Sequence, residues 1–433
     1  MVRTLPSPRL AIERFTLANG LRVVLSPDRS APTVGISVSY DVGFRSEPEG
    51  RTGFAHLFEH LMFQGSASLD KGEADRLIEG NGGIGNGSTH GDYTNYISQL
   101  PSNALELGLF LEADRMRGAR LTPDNLRNQI DVVKEEIRVN VLNRPYGGFP
   151  WIDLPPVMFQ TFNNTHDGYG SFVDLEAATI EHAADFFRRF YCPANAVLSV
   201  AGDLDTDVTG RLIERHFGPI AGRRAPRIPN CSEPLAAEER RSAHTDPLAP
   251  LPAVAVGYRV PDPVKRLDEF LALVIAGEVL AGSEASRLYQ RLIKNDRLAT
   301  HVSAMVGTFG DPFDVRDPTM LQVLAYLPPG MKVDPVLAAL DDEVARLAQG
   351  LHQAEIDRVV TGMVSDHFRQ LDNVLERAMA MGVLEQQRSQ PELVNELPGL
   401  LAGVTPAQVS AGVERWLGAP GRAVLEVVPG AAG

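Results

Sequence analysis

The stretch from Thr52 to Gln64, TGFAHLFEHLMFQ, guides the interpretation of the whole chain. It contains His56, Glu59 and His60 in the spacing H-x-x-E-H. The absence of proline and of β-branched runs predicts a helix, which the turn-like Gln64-Gly65-Ser66 would end. On a helix these positions share one face, with neighbouring side chains about 5–6 Å apart. Two imidazoles one turn apart can therefore bind one metal ion, with a carboxylate beside them.

Two imidazoles and a carboxylate are the parts of a catalytic zinc site, which keeps one position open for water. The order of the residues is the reverse of H-E-x-x-H. The motif is short enough to arise by chance, so a helix carrying two ordinary surface histidines is the alternative at this point. A zinc site also needs a third ligand from elsewhere in the chain.

Composition limits the class of protein. The chain has 433 residues, 44% hydrophobic and 22% charged, which is typical of a soluble globular protein with two or more domains. Its net charge of −14 argues against nucleic acid or an anionic membrane as the main partner. The first residues, MVRTLPSPRLAIERF, lack the apolar core of a signal peptide, and no apolar stretch approaches 18 residues, so we expect neither a signal peptide nor a membrane span. Only Cys192 and Cys231 are present, far apart, so we predict a cytoplasmic location without a disulfide framework.

The order of predicted elements indicates a duplication. Each half begins with strands, continues through helices, and ends with a helix and a strand. NAVLSVAGD, from Asn195, is echoed by RAVLEVVPG, from Arg422. Prolines and arginines cluster between the halves. We therefore predict an α+β protein with an N-terminal domain at 1–222, a linker at 223–251 and a C-terminal domain at 252–433.

The predicted elements follow from hydrophobic period and capping signals. Asn19-Gly20 predicts a hairpin, Thr122-Pro123 and Thr405-Pro406 predict helix starts, and Gly118 predicts a helix end. The predicted strands are 12–17, 21–27, 33–42, 86–100, 195–203, 253–260, 320–327 and 422–428. The predicted helices are 53–64, 71–79, 102–117, 123–143, 179–190, 268–280, 284–293, 335–349 and 353–381, with another from 405.

The segment NGSTHGDYTNYISQL, Asn86 to Leu100, is polar and rich in small residues but has strand-forming Thr, Tyr and Ile. Such a segment suits the edge of a sheet, where backbone groups are exposed. One interpretation is simply a hairpin at that edge. The other is a site where an extended peptide adds as the next strand.

These blocks together resemble the M16 metallopeptidases, the pitrilysin, insulinase and mitochondrial-processing-peptidase group. The resemblance rests on ANGLRVVL, GFAHLFEHLMFQGS, NGSTHGDYTNY, EADRM, VVKEEI and PANAVLSVAGDLD, in that order along nearly the whole chain. It implies two homologous LuxS/MPP-like α/β-sandwich domains in tandem, forming half of a clamshell. It also implies a Zn²⁺-dependent endopeptidase.

The resemblance assigns roles to named residues. Glu136 would complete the zinc ligands with His56 and His60, because the family has its third ligand at this distance from the second histidine. Glu59 would act as the general base on the attacking water. Glu135 is the alternative ligand because it is adjacent, but on a helix its side chain points about 100° away from that of Glu136. We therefore expect Glu135 to be a solvated surface carboxylate.

The polar segment would bind the main chain of the substrate through four residues, and His90 in the same segment is not expected to bind metal. Asn86 matches the family's N-A-x-T block, although Gly87 replaces the alanine. A capping or turn asparagine is the alternative role for Asn86. The four predicted substrate-binding residues are Asn86, Gly87, Ser88 and Thr89.

Two departures from the family pattern bear on activity. Gln129 stands where members commonly carry a glutamate that supports the zinc site. In the segment LIKNDRLAT, Ile293 and Thr300 replace an Arg/Tyr pair that helps stabilise the oxyanion. We therefore expect this chain to be the catalytic subunit of a heterodimer whose homologous partner supplies the pair, with a homodimer less favoured. Substrates would be peptides or unfolded segments inside a closed chamber.

Two other functions remain open from the sequence. One is a non-catalytic, core-protein-like subunit with the same fold, and the other is a zinc-dependent binding module. The four residues His56, Glu59, His60 and Glu136 argue against the first, since non-catalytic relatives usually lose the zinc motif.

Overall fold

The computed structural model describes residues 9–430, which form two compact units. Among these residues, unit 1 contains 9–134, 168–229 and 366–398, and unit 2 contains 135–167, 230–365 and 399–430. The α+β class and the two-unit organisation are confirmed. Each unit is assembled from separate segments of the chain.

The strands of the described residues form one sheet in each unit. In chain order they are β1 (Glu13–Thr16), β2 (Arg22–Pro27), β3 (Thr33–Tyr40), β4 (Ile84–Thr89), β5 (Thr94–Pro101), β6 (Ala196–Gly202), β7 (Arg240–Asp246), β8 (Ala253–Arg259), β9 (His301–Val306), β10 (Met320–Tyr326) and β11 (Ala423–Pro429).

The helices cover both sheets and connect their strands. In chain order they are α1 (Phe54–Leu61), α2 (Glu73–Gly80), α3 (Leu105–Arg117), α4 (Pro123–Ile137), α5 (Pro155–Met158), α6 (Phe162–Thr165), α7 (Phe172–Glu176), α8 (Ile180–Phe190), α9 (Thr206–Phe217), α10 (Leu267–Ala281), α11 (Val333–Gln349), α12 (Gln353–Leu371), α13 (Val374–Arg388), α14 (Leu393–Ala402) and α15 (Pro406–Trp416). Short 3-10 turns lie at Phe44–Ser46, Ser102–Ala104 and Pro193–Asn195, and π-helical turns at Arg138–Leu142 and Tyr289–Asn295.

The two sheets share one topology, which supports the predicted duplication. Their strand orders are β1-β2-β6-β3-β5-β4 and β7-β11-β8-β10-β9. The strand that comes last in the chain is β6 in the first sheet and β11 in the second. Each is parallel to one neighbour, β2 beside β6 and β7 beside β11. Its other neighbour is antiparallel, β3 in one sheet and β8 in the other. The echo between NAVLSVAGD and RAVLEVVPG therefore marks equivalent central strands.

Local signals in the sequence explain several element boundaries. Gly20 has φ 94° in the turn between β1 and β2, as the Asn-Gly pair predicted. The Thr122 hydroxyl accepts a hydrogen bond from the amide of Asn125 at 3.2 Å and begins α4. Thr405 and Gln408 form a capping box at α15.

Segments distant in sequence complete each hydrophobic core. In unit 2, Leu154, Met158 and their neighbours pack against the strands of the second sheet, including Ala255 and Leu425. In unit 1, α13 packs against β3 and β6. The predicted domains 1–222 and 252–433 follow chain order, whereas the compact units exchange segments 135–167 and 366–398. Local periodicity identifies such helices but not the sheet that they cover.

Several predicted elements differ from the structure. The predicted helix at 353–381 is two helices, because Asn373 caps the start of α13 with hydrogen bonds from the amides of Leu375 and Glu376. The helix predicted at 284–293 is largely replaced by the π-helical turn Tyr289–Asn295. Strand β7 lies inside the predicted linker 223–251, and the segment 86–100 is the hairpin β4–β5. We also missed β9, the helices α9 and α14, and the short helices α5, α6 and α7. Between residues 9 and 430, no helix is both long and apolar enough to cross a membrane.

Candidate metal centre

Helix α1 is held at its N-terminus by a buried carboxylate. Glu47 Oε2 accepts a hydrogen bond from the amide of Gly53 at 2.9 Å, and Oε1 accepts one from Ala55 at 2.6 Å. These bonds satisfy amides that the helix itself leaves without partners. Gly53 has φ 78°, and a Cβ there would lie 2.1 Å from the carbonyl oxygen of Tyr169. The contacts of Glu47 and the close approach at Gly53 therefore determine where α1 begins.

His56 and His60 lie one turn apart on α1 with their Nε2 atoms 3.3 Å apart. One ligand atom from each, together with a carboxylate oxygen of Glu136, lies within 4.8 Å of the others. Tetrahedral zinc with Zn–N distances of about 2.0–2.1 Å separates its ligand atoms by about 3.3 Å. The two imidazoles therefore have the spacing that one zinc ion requires, and all three residues are half-buried.

Glu136 reaches this position on α4. It lies in the last turn of this helix, which runs from Pro123 to Ile137. The neighbouring carboxylate of Glu135 lies elsewhere: it is 64% exposed and its Oε2 contacts Arg138 Nη1 at 3.0 Å. The structure therefore brings Glu136, and not Glu135, to the two histidines.

Gln129, two turns before Glu136 on α4, contacts the back of His60. The His60 Nδ1 lies 3.2 Å from Gln129 Oε1, and Gln129 is 5% exposed. The amide nitrogen of Gln129 donates to Asn128 Oδ1 at 2.9 Å, which directs Oε1 towards the imidazole. Neutral His60 therefore donates from Nδ1 and presents the lone pair of Nε2 to the site.

Tyr169 packs against the other histidine. Its ring meets the His56 ring edge-on, with centroids 5.2 Å apart and planes at 82°. We did not identify Tyr169 from the sequence, because it lies 113 positions after His56 in an irregular loop and belongs to no motif that we used.

Glu59 lies on the same helix as the histidines and contacts strand β4. Glu59 is 8% exposed, and its Oε2 accepts a hydrogen bond from the Thr89 hydroxyl at 2.7 Å. Thr89, predicted as a substrate-binding residue, therefore directs its side chain to Glu59. Gly87, two positions earlier on β4, faces Glu59 and Phe63.

Strand β4 ends the strand order of the first sheet, as its composition predicted. Asn86 is exposed and pairs in register with Ile97 of β5. The hydroxyl of Ser88 donates to Asn95 Oδ1 at 2.5 Å and lies 2.9 Å from His90 Nε2. His90 is absent from the group of possible metal ligands within residues 9–430.

A buried ion pair supports the turn between β4 and β5. Arg45 Nη1 contacts Asp92 Oδ2 at 2.9 Å, and both side chains are 5% exposed. The amide of Phe44 also donates to His90, and that of Arg45 to Gly91. Because several bonds hold the turn, the strand beside Glu59 has a defined position.

Aromatic side chains fill the interior behind Glu59. The hydroxyls of Tyr96 and Tyr191 are 2.8 Å apart, and burial raises the pKa of both. The Arg115 guanidinium lies over the rings of Phe63 and Tyr96, at 4.7 and 4.8 Å. Phe58 and Phe63 contact Tyr191 and Tyr96 in this layer, which packs α1 and the turn after it against the sheet.

The motif EADRM connects the end of α1 to α3. Asp114 is fully buried and accepts hydrogen bonds from the Ser66 hydroxyl at 2.6 Å and the Ser68 amide at 2.8 Å. Burial disfavours its ionised form, but these bonds hold the pKa of Asp114 below its ordinary value. This motif is therefore structural support for the loop after the histidine helix.

The C-terminal segment that departs from the family pattern is structured but carries other contacts. Ile293 lies in the π-helical turn, and the Thr300 hydroxyl donates to the carbonyl of Tyr326 at 3.1 Å. Arg291, which is nearby, forms ion pairs with Asp296 and Asp342. The segment therefore offers neither an arginine nor a tyrosine at these two positions.

Comparison with known families gives two matches. A family model described as "Insulinase (Peptidase family M16)" matches residues 22–145, which contain both histidines, Glu59 and Glu136. A second, described as "Peptidase M16 inactive domain", matches residues 177–363.

Individual relatives agree with these matches. The zinc protease PqqE from Helicobacter pylori is 29% identical over 377 residues, covering 83% of this chain and 80% of the relative. An uncharacterized zinc protease from Streptomyces coelicolor is 25% identical, covering 92% of this chain and 86% of the relative.

Solved structures show the same fold. A crystal structure of a protease from Helicobacter pylori aligns with a TM-score of 0.89 at 23% identity, covering 98% of this chain and 100% of that one. The periplasmic protease PqqL from Escherichia coli aligns with a TM-score of 0.76 at 18% identity. That alignment covers 98% of this chain but 48% of PqqL.

Proposed function

Because the chain belongs to the M16 family of metallopeptidases, we propose that it is a zinc-dependent endopeptidase. The observation that carries the proposal is the convergence of His56, His60 and Glu136, whose ligand atoms lie within 4.8 Å of one another. The relatives named as zinc proteases support the same metal.

The donor set fits zinc better than the harder divalent cations. Two imidazoles and one carboxylate are the ligands of many catalytic zinc sites, whereas Mg²⁺ and Ca²⁺ prefer oxygen ligands throughout. A second carboxylate, Glu59, lies next to the ligands on α1 but outside the ligand group. This combination provides a metal site and a separate proton acceptor.

Zinc, when bound, supplies a Lewis acid that polarises the scissile carbonyl and makes water more acidic. Glu59 accepts a proton from the attacking water and later donates it to the leaving amine. Gln129 keeps His60 in the tautomer that presents Nε2 to the site. Hydrolysis of the peptide bond follows from these roles.

The substrate main chain would bind along β4, whose outer edge is the end of the sheet. Backbone groups of Asn86 to Thr89 would pair with it, so recognition through this edge depends little on sequence. This mode requires an extended chain, which favours peptides and unfolded segments over folded proteins.

We further propose a homologous partner subunit. This chain corresponds in length to 48% of PqqL and aligns with the separately solved first half of that protein. Ile293 and Thr300 also replace the family's Arg/Tyr pair, which a partner would supply. Together the two chains would close around a chamber. A cytoplasmic location remains a prediction from the sequence.

One experiment separates these proposals. Purified protein is assayed for zinc by mass spectrometry and for cleavage of a quenched peptide library, alone and with a homologue that carries the Arg/Tyr pair. We expect one zinc per chain, weak cleavage alone and strong cleavage with the partner. If the protein binds zinc but neither the single chain nor the mixture with the homologue cleaves any peptide, the proposed peptidase activity is wrong. If the single chain is fully active, no partner is needed.

A non-catalytic subunit of the same fold is the second candidate. The description of the model that matches residues 177–363 as an inactive domain favours it, as do the replacements at positions 293 and 300. It predicts no cleavage with any partner. The three converging ligands and the adjacent Glu59 favour the enzyme, because a purely structural subunit needs none of them.

A further inference from the structure

The inner face of β4 contacts the carboxylate that the proposed function assigns as the general base. Thr89 Oγ1 lies 2.7 Å from Glu59 Oε2. An ionised carboxylate can only accept hydrogen bonds, so the threonine hydroxyl is the donor. The nearby Thr94 hydroxyl donates to the carbonyl of Val42 at 2.8 Å and lies 3.4 Å from Thr89 Oγ1. The Thr89 hydrogen is therefore directed to Glu59.

A glutamate on a helix needs such a contact to act as a base. The last torsion of a glutamate side chain is broad, so the helix alone does not orient the carboxylate plane. A charge-assisted hydrogen bond from a strand held by its own ladder restricts that rotation. Thr89 pairs in register with Thr94 of β5, which gives the donor a defined position.

Gly87 provides the space on the same face of β4. A Cβ at position 87 would lie 3.1 Å from Glu59 Cγ, from Glu59 Oε1 and from a ring carbon of Phe63. These contacts are tighter than usual, so with a side chain at position 87 either Glu59 or Phe63 would have to give by a few tenths of an ångström. Glu59 therefore lies close against the strand, within reach of the Thr89 hydroxyl.

We propose that Thr89 is a positioning residue for Glu59, a role that rests on the proposed function. Its side chain orients the base, while the backbone of the same strand offers its outer edge to the substrate. This role belongs to the Thr89 side chain and is additional to the backbone pairing proposed for Asn86 to Thr89. Removal of the hydroxyl is expected to affect the chemical step more than substrate binding.

The first arm of the test is structural and needs no activity. Crystal structures of the zinc-loaded full chain are compared for wild type, Thr89→Val and Thr89→Ser. Valine keeps the shape of threonine without the donor, and serine keeps the donor. We expect one Glu59 conformer in wild type and in Thr89→Ser, and a displaced or multiple carboxylate in Thr89→Val. An unchanged carboxylate in Thr89→Val would overturn the proposal.

The second arm is kinetic and uses the active form of the protein with a quenched peptide. We expect kcat to fall about tenfold in Thr89→Val, with KM within about twofold and zinc content unchanged. Thr89→Ser should recover most of the loss. If valine leaves kcat intact, or if serine is no better than valine, the positioning role is wrong.

A matched control removes another hydroxyl from the same hairpin. Ser98 on β5 is buried, and its hydroxyl has no hydrogen-bond partner in the described part of the chain. Ser98→Ala should leave both kcat and the Glu59 conformer unchanged. If Thr89→Val fails to fold, Thr89→Ala, which adds no atom, replaces it. Absence of cleavage by wild type would contradict the proposed function, and the structural arm would still decide the role of Thr89.

Discussion

Glu59 and His60 are adjacent in sequence but contact different parts of unit 1. His60 Nδ1 faces Gln129 on α4, and Glu59 Oε2 faces Thr89 on β4. Neighbouring residues on a helix point about 100° apart, so one helix can present a metal ligand and a base to different surroundings. This separation allows the two roles to be tested independently.

Replacement of Glu59 should abolish turnover without removing metal. Glu59→Gln keeps the shape of the side chain but cannot accept the proton, so we expect kcat to fall by about 10²–10⁴ with zinc retained. Zinc content by mass spectrometry and peptide cleavage are the measurements. His60→Gln is the control, and it should lose zinc as well. Loss of zinc from Glu59→Gln would make this residue a ligand and not the base.

Gln129 provides a test of how a side chain that contacts a candidate zinc ligand changes zinc affinity. A glutamate at this position would accept the same hydrogen bond from His60 with a negative charge, which strengthens the imidazole as a ligand. We expect Gln129→Glu to bind zinc more tightly and Gln129→Leu to bind it about 10–100-fold more weakly. Competition with a chelator measures both constants. Equal affinity in all three proteins would show that the contact with His60 is incidental.

The proximity of the three candidate metal ligands could be predicted from the sequence because they lie in recognisable blocks. His56 and His60 are fixed by helical spacing, and Glu136 follows from the family pattern. The contacts of Thr89 and Tyr169 could not, because they depend on how β4 and the loop after residue 167 pack against α1. A strand residue can face its own helix or the solvent, and composition alone does not decide which.

At the scale of elements, α13 shows how a distant segment completes unit 1. The Arg377 guanidinium donates to Asp28 Oδ2 at 2.7 Å and to the carbonyl of Leu371 at 2.9 Å. Arg22 Nη1 also donates to the carbonyl of Glu385 at 3.0 Å. Hydrogen bonding to Arg377 lowers the pKa of Asp28. The contacts with Arg22 and Asp28 therefore tie the helix to both ends of β2.

Loss of Arg377 should destabilise the protein. Its side chain is 5% exposed and that of Asp28 is 28% exposed, so Arg377→Met leaves a half-buried carboxylate and a carbonyl without this donor. We expect a loss of about 2–3 kcal/mol in the free energy of unfolding, measured with urea. Arg369→Met is the matched control, because Arg369 and Asp366 are both exposed, and it should change stability by less than about 0.5 kcal/mol. A similar effect from both variants would refute the anchoring role.

The contact between α12 and α14 should make stability depend on pH. His367 Nε2 donates to the carbonyl of Val394 at 2.7 Å. Burial lowers the pKa of His367 below its ordinary value of 6.5, although this bond opposes the change. The unfolded chain then binds a proton more readily than the folded chain. The contribution of buried, neutral His367 to the free energy of unfolding is fully present above pH 6.5 and decreases as the pH falls below that value.

His367→Gln removes this titration while keeping a donor of similar length. As the pH falls below about 6.5, the urea midpoint of wild type should therefore decrease more than the urea midpoint of His367→Gln. A difference that stays constant from pH 8 to pH 5 would contradict a depressed pKa for this histidine.

The elements themselves were predictable where local chemistry determines them. Asn-Gly at the first hairpin and Thr-Pro at α4 and α15 are such cases. The break between α12 and α13 was missed because Asp372-Asn373 interrupts an otherwise helical pattern without proline or glycine. Strand β7 was missed because its residues are mostly polar and exposed, so no alternating pattern marks it.

At the scale of the whole molecule, two units share a sheet topology but differ in chemistry. Equivalent strands are β4 in one unit and β9 in the other, since each pairs with the strand next in the shared order. Among residues 9–430 the possible metal ligands form one group, His56, His60 and Glu136, so the shared topology does not by itself provide a metal site in each unit.

The most direct test of the central claim is the anomalous diffraction of a zinc-loaded crystal of the full chain at the zinc absorption edge. We expect one strong peak about 2.0–2.2 Å from Nε2 of His56, Nε2 of His60 and a carboxylate oxygen of Glu136. A peak at another group of side chains, or Glu136 turned away from a zinc held by the histidines, would contradict it.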